Sequence, residues 1–167
     1  MMAKTVILNH EDIKNRVRRI AYQIYEHNAA EKEIILAGIE RKGFVFANKL
    51  AAVLKDISPL KIHLCRVKIN KKAPLESVST SLDTRVYENK SIVLVDDVLN
   101  SGTTLMYAVR HFLQVPLKQF NTAVLVDRNH KKYPVKVDFK GISLSTSLQD
   151  HVKVVFSDSN GDQAFLE

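Results

Sequence analysis

The sequence is poor in the residues that staple, punctuate or span. It has one cysteine, Cys65, which excludes an internal disulfide and any multi-cysteine metal site. A reducing cytosol is the expected setting. Four prolines and five glycines offer no linker, and neither a repeat nor a low-complexity tract divides the chain. The longest apolar runs, such as Ile34–Ala37 and Ser91–Val95, fall far short of the ~20 residues that cross a membrane. Met1–Lys4 carries no apolar signal core and reads as the start of a polar, helix-like segment, so neither secretion nor a membrane partner is expected. What remains is globular: 167 residues, 46% hydrophobic and 26% charged, within the ~100–200 residues of one domain spanning 1–167. Lysine and arginine outnumber the acids 25 to 18, and the net charge of +7 favours polyanionic partners, phosphates or nucleic acid.

The patterning alternates. Asn9, with Asp12 three residues on, predicts a helix cap, and Ile13, Val17, Ile20, Ala21 and Ile24 follow as one apolar stripe. Ile34–Ile39 reads as a strand buried on both faces. Phe44, Ala47, Leu50, Ala51 and Leu54 repeat as a helix face, and Ile62–Val67 is a second strand. Lys68–Glu88 is polar and irregular, a mobile excursion. Then come a strand at Ser91–Val95, a helix at Thr103–Gln114 closed by Pro116, a strand at Thr122–Val126, and short strands at Val135–Phe139 and Val152–Phe156. This order predicts an α/β fold: a mostly parallel sheet flanked by helices, with a small hood of short strands.

Chemistry concentrates in one segment. The strand Ile92–Val95 runs into Asp96 and Asp97, and the turn Val98-Leu99-Asn100-Ser101-Gly102 leads to Thr103, Thr104 and a helix. Ligands of open parallel sheets sit beyond the carboxyl ends of the strands. Free amides at a helix start, hydroxyls at Ser101, Thr103 and Thr104, and a glycine that lets phosphate approach make an anion cradle. The carboxylates suit ribose hydroxyls or a hydrated divalent cation, though Asp96 and Asp97 can also merely cap a helix. It is not a Walker loop, since no Gly-Lys-Ser/Thr follows. Arg41, Lys42 and Gly43 after the first strand either offset anionic charge or are plain solvated residues.

Val93–Thr104, VLVDDVLNSGTT, resembles the phosphoribosyl-pyrophosphate signature of the type I phosphoribosyltransferases. The resemblance implies that Asp96 and Asp97 face the ribose hydroxyls, that Asn100 to Thr104 wrap the 5-phosphate, and that Arg41, Lys42 and Gly43 form the pyrophosphate loop. The stretch Val124–His130, VLVDRNH, continues through Pro134, Asp138 and Gly141 to Ser145, Thr146 and Ser147. It is similar to the bacterial pyrimidine operon attenuation regulators that double as uracil phosphoribosyltransferases. There such a stretch forms a base-binding hood, here approximately 127–150 with a contribution from the N-terminal segment. By analogy Phe139, the Lys140 backbone and Ile142 meet the base; Phe139 reads equally as core, and His130 as a hood residue, an RNA contact or plain surface. Cys65 reads as a small buried residue.

Two departures stand out. Arg41-Lys42-Gly43 replaces the Thr-Arg-Gly of the uracil branch, and Val67–Lys72 lacks the Tyr-Arg-Asp-Asp segment of its flexible loop, leaving Lys71 and Lys72 for the electrostatic work. The implied reaction is attack of uracil on the anomeric carbon of phosphoribosyl pyrophosphate, with inversion, giving UMP and pyrophosphate. Mg²⁺ would be met through water by Asp96 and Asp97, and Asp127 is the nearest candidate base. The alternatives are a transferase for a purine base and a non-catalytic nucleotide sensor that binds messenger RNA. Arg16, Arg18, Arg19, Lys131, Lys132 and Lys136 permit RNA binding, though they also fit an ordinary charged surface. The resemblance further implies a homodimer or larger assembly.

Overall fold

Residues 4–167 are described by a computed structural model. Its first helix starts where the cap predicts. In α1 (His10–His27) the Asn9 side chain accepts from the Asp12 amide and the Asp12 side chain from the Asn9 amide, each at 2.9 Å. The buried positions of α1 are the five of the expected stripe. The chain continues as β2 (Glu33–Ile39), α2 (Lys42–Ile57), β3 (Lys61–Lys68), β4 (Ser79–Thr80), α3 (Thr84–Tyr87), β5 (Ser91–Leu99), α4 (Thr103–Phe112), β6 (Gln119–Arg128) and β7 (Phe139–Leu144). These strands form one six-stranded sheet in the order β4-β3-β2-β5-β6-β7, parallel throughout except for β4.

The central strands are apolar on both faces because helices cover both. Leu36, Val93, Val95 and Leu125 pack with Ile20, Ile24, Phe46 and Leu50 on the α1–α2 side. Ile35, Ala37, Leu94 and Val124 pack with Leu105, Ala108 and Phe112 on the α4 side. Each such fully buried Leu, Ile or Phe contributes ~1.5–3 kcal/mol.

The structure departs from expectation in four places. First, β5 does not stop at Val95; its pairing with β6 runs on to Leu99↔Asp127, so Asp96, Asp97, Val98 and Leu99 are strand and the turn is only 100–102. Second, Val135–Phe139 is not a strand. Val135 and Val137 are buried in a loop, and the Asp138 side chain takes the Thr122 amide at 3.0 Å, so pairing begins at Phe139. Third, the Lys68–Glu88 excursion is anchored at its far end. Ser81 pairs with Arg66 through two hydrogen bonds of 2.8 and 2.9 Å, and Tyr87 is fully buried, edge-on to Phe112.

Fourth, a separate small sheet joins the expected strand at Val152–Phe156 to two strands near the chain ends that the pattern did not announce. It consists of β1 (Thr5–Leu8), β8 (Val152–Val155) and β9 (Gln163–Leu166), antiparallel in the order β1-β9-β8. Where a helix-like opening was expected at Met1–Lys4, Lys4 is not helical and Thr5–Leu8 is strand; residues 1–3 lie outside the described residues. Leu8, Val154 and Ala164 bury against the α1–α2 core, which no local pattern of four residues could announce. Buried Asp162 ties this sheet down, meeting Lys49 Nζ at 2.9 Å and accepting from the Ser157 amide at 3.1 Å, while its own amide donates to His10 Nδ1 at 3.0 Å.

Candidate active site

The pairing of β2 with β5 ends at Gly38↔Val95, whereas β6 follows β5 four residues further. Asp96 and Asp97 therefore lose a strand neighbour on one side and stand at the edge of a cleft. Both are nearly enclosed, at 3% and 8% exposed. Asp96 Oδ1 accepts from the Asp97 amide at 2.9 Å, and Lys71 Nζ lies 3.8 Å from Asp96 Oδ2. Burial first, then the neighbouring Asp97 charge, pushes the Asp96 carboxyl well above the ordinary carboxylate range against the pull of Lys71.

Two helices start at this cleft, and neither has a capping side chain on its N-cap residue. The residue ahead of α4 is Gly102 in the left-handed region (φ 86°), and the residue ahead of α2 is Arg41, also at positive φ (72°); neither offers a side-chain cap, and neither first turn holds an acid. The other two helices are capped by Asn9 and Asp83. At α4 the Thr103 amide donates to Ser101 Oγ at 3.3 Å; the remaining first-turn amides and the two dipoles, with no acid beside them, suit anions. A non-glycine residue at positive φ costs roughly 1–3 kcal/mol and persists where surrounding structure enforces it; here the Glu40 amide is held by Val67 O at 2.8 Å. Gly43 is a packing requirement: a Cβ there would sit 2.9 Å from Asp96 Oδ1.

Two adjoining cavities result. The smaller, about 130 Å³, is lined by Asp96, Asn100, Ser101, Gly102 and Thr104 among others. Its loop is braced from outside, since Ser101 O accepts from the amides of Lys132 and Tyr133 at 2.8 and 3.1 Å. Thr103 is turned aside, its hydroxyl 2.8 Å from that of Ser101. The larger cavity, about 560 Å³, has Arg41, Lys42, Lys71 and Lys72 on its walls, with Asp97 and the apolar faces of Val98 and Val152. Lys71, Val98 and Asn100 border both. The structure thus brings the acidic pair, the small turn, the basic pair after β2 and the two lysines of the excursion to one place.

Comparison with known proteins decides what this place belongs to. The description of a phosphoribosyl transferase domain matches residues 4–158. The chain belongs to the phosphoribosyltransferase family. Among its relatives is the bifunctional protein PyrR of Clostridium novyi (strain NT), 33% identical over 98% of this chain and 97% of that one. The PyrR of Streptococcus thermophilus (strain ATCC BAA-491 / LMD-9) is 30% identical over 96% and 94%. Among solved structures, a hypoxanthine phosphoribosyltransferase of Trypanosoma cruzi shares the fold with a TM-score of 0.75 at 20% identity, over 97% of this chain and 94% of that one. A hypoxanthine-guanine phosphoribosyltransferase of Bacillus anthracis does so at 0.72 and 20%, over 87% and 85%. At such identity these structures speak for the fold alone.

A phosphoribosyltransferase needs a place for a divalent cation, and two carboxylates at the cleft fit Mg²⁺, which keeps several waters and takes one or two carboxylates with substrate oxygens. Among the described residues no cluster of three acids, histidines or cysteines forms a closed metal cage.

Phe139, Lys140 and Ile142, the residues expected at the base, stand on β7. β7 begins level with the middle of β6, so Phe139 pairs with Ala123 and Lys140 with Val124, short of the strand ends. Phe139 is core, edge-on to His27. The Lys140 carbonyl is taken by Arg19 at 3.0 Å and its ammonium lies 3.2 Å from Asp127; Ile142 packs on the α1–α2 core. None of the three lines either cavity. Asp127 also stands outside both, with Lys140 and Lys131 at 3.2 and 3.5 Å from Oδ2. His130 Nε2 lies 2.6 Å from Thr146 O, within the loop that follows β7. Cys65 is buried, and burial pushes its thiol up. Val152 lines the larger cavity and Arg128 is buried beside Asn100; the sequence placed the first in a short strand and the second in the VLVDRNH stretch without giving either a role of its own.

Proposed function

We propose that the chain transfers the phosphoribosyl group of phosphoribosyl pyrophosphate to uracil, giving UMP and pyrophosphate. The observation that carries the phosphoribosyl part is the pair of helix starts, without a capping side chain on either N-cap residue, flanking Asp96 and Asp97. The uracil part rests on the PyrR relatives, which match along almost the whole of both chains. In this reading the 5-phosphate takes the smaller cavity, against the amides from Asn100 to Thr104. Asp97, with Asp96 behind it, receives the ribose hydroxyls, and Mg²⁺ met through their waters supplies charge neutralisation for the pyrophosphate. Arg41 and Lys42 hold the leaving pyrophosphate from one side and Lys71 and Lys72 from the other. The uncharged wall of Val98 and Val152 is left for the flat base.

Inversion at the anomeric carbon through an oxocarbenium-like state asks little covalent work of the protein. Alignment and charge stabilisation carry the rate. Asp127, paired with two lysines outside both cavities, is given no proton-transfer role.

An RNA-binding function beside the transferase has its own support. Arg19 Nη2 donates to Gly141 O at 2.6 Å, which sets this arginine of α1 beside β7. Lys131, Lys132 and Lys136 are exposed on the loop that leads to that strand. The test measures pyrophosphate release with uracil, hypoxanthine and guanine in turn, then an RNA gel shift at low and raised salt with and without UMP. Turnover with uracil alone is expected, with a UMP-dependent shift that salt weakens. Turnover with a purine but not with uracil defeats the base assignment.

A further inference from the structure

Arg128 ends β6, is 6% exposed, and spends its guanidinium on neutral oxygens. Nη1 donates to Asn100 Oδ1 at 3.0 Å. Nε and Nη2 both donate to Thr146 Oγ1, at 3.1 and 3.0 Å, and Nη2 reaches Asp150 O at 2.7 Å. A planar fork of this kind fixes the relative position of the groups it holds, which a flexible ammonium cannot do. The two groups held here are the turn that borders both cavities, through Asn100, and the loop 146–150 that delivers Val152 to the wall of the larger one.

We propose that Arg128 is a positioning residue: it clamps the loop ahead of Val152 to the phosphate-side turn and so sets the wall on which the nucleobase rests. This rests on the assignment of that wall above. The argument turns on where the bonds go. A buried arginine that served stability alone would weaken every ligand equally when altered. A clamp between the turn and the loop weakens nucleotides that reach the far wall more than ribose 5-phosphate, whose turn is also braced by the Lys132 and Tyr133 amides on Ser101 O.

The test is calorimetric binding of ribose 5-phosphate, UMP and IMP to the wild type, to Arg128→Lys and to Thr146→Val. The first variant keeps the charge and loses the fork; the second keeps the arginine and removes the shared hydroxyl acceptor without changing shape. The preference for the favoured nucleotide over ribose 5-phosphate is expected to fall about tenfold in Arg128→Lys and about threefold in Thr146→Val, with ribose 5-phosphate affinity nearly unchanged. Should Arg128→Lys not fold, Thr146→Val decides alone. Equal weakening of ribose 5-phosphate and nucleotide, or an unaltered preference, overturns the clamp. So does a wild type that binds both nucleotides no more tightly than ribose 5-phosphate, since it then has no wall to set. A wild type that favours IMP over UMP defeats the uracil reading instead, and the clamp is then read on IMP.

Discussion

Asp97 carries the most specific chemical expectation of any single residue. It lines the larger cavity directly, whereas Asp96 lies behind, hydrogen-bonded to the Asp97 amide and pressed on Gly43. Asp97→Asn keeps size and loses charge, and turnover is expected to drop at least tenfold, a barrier rise of about 1.4 kcal/mol. Steady-state rates equal to wild type would remove Asp97 from the site. Glu33 makes a different kind of prediction, about pH. Hydrogen bonds from Lys90 first and His63 second hold its carboxyl down to about 2 from an ordinary 4.5. A depressed acid stabilises the fold above its unfolded value and loses that contribution as pH falls through the folded one. Wild type should therefore lose stability between pH 4.5 and about 2 in part through this group. The urea midpoint of Glu33→Gln should fall less steeply over that window; equal slopes would contradict the pairing.

At the scale of elements, the strands were legible where a single period governed them, and not where a neighbour set their length. The α1 stripe and cap are local, and they stand in the structure as the periodicity implies. β5 outruns its apolar stretch because β6 pairs beyond it, and β7 starts late because Asp138 occupies the Thr122 amide. The β6–β7 contact is so close that a Cβ at Gly141 would come within 2.4 Å of Leu125 O. Gly141→Ala should therefore part the two strands, at about 2 kcal/mol or more. A lowered urea midpoint at constant slope would show it; an unchanged midpoint would mean that the strands yield freely. Register likewise sets where Phe139, Lys140 and Ile142 lie: they pair with β6 at Ala123, Val124 and Val126, and none lines either cavity.

For the whole molecule, the decisive event is the return of the C-terminal strands to the N-terminal one. β9 lies between β1 and β8, and Asp162 fastens the turn ahead of it to Lys49 and His10 on the first two helices' side. Asp162→Ala leaves the Ser157 amide without its acceptor and Lys49 without its anion, at an expected cost of about 2 kcal/mol. The transferase rate should fall with it if the loosened sheet carries Val152 out of the cavity wall; parallel urea and rate measurements read both.

By itself the sequence determined the α/β alternation, the acidic pair, the small turn and the basic pairs, because each is a contiguous run whose residue types dictate its own conformation or charge. Tertiary structure alone decided that Lys71 reaches Asp96, that Val152 closes the cavity, and that Arg128 spans two loops. Those contacts join residues far apart in the chain, and their geometry follows from strand register and helix packing rather than from any local pattern.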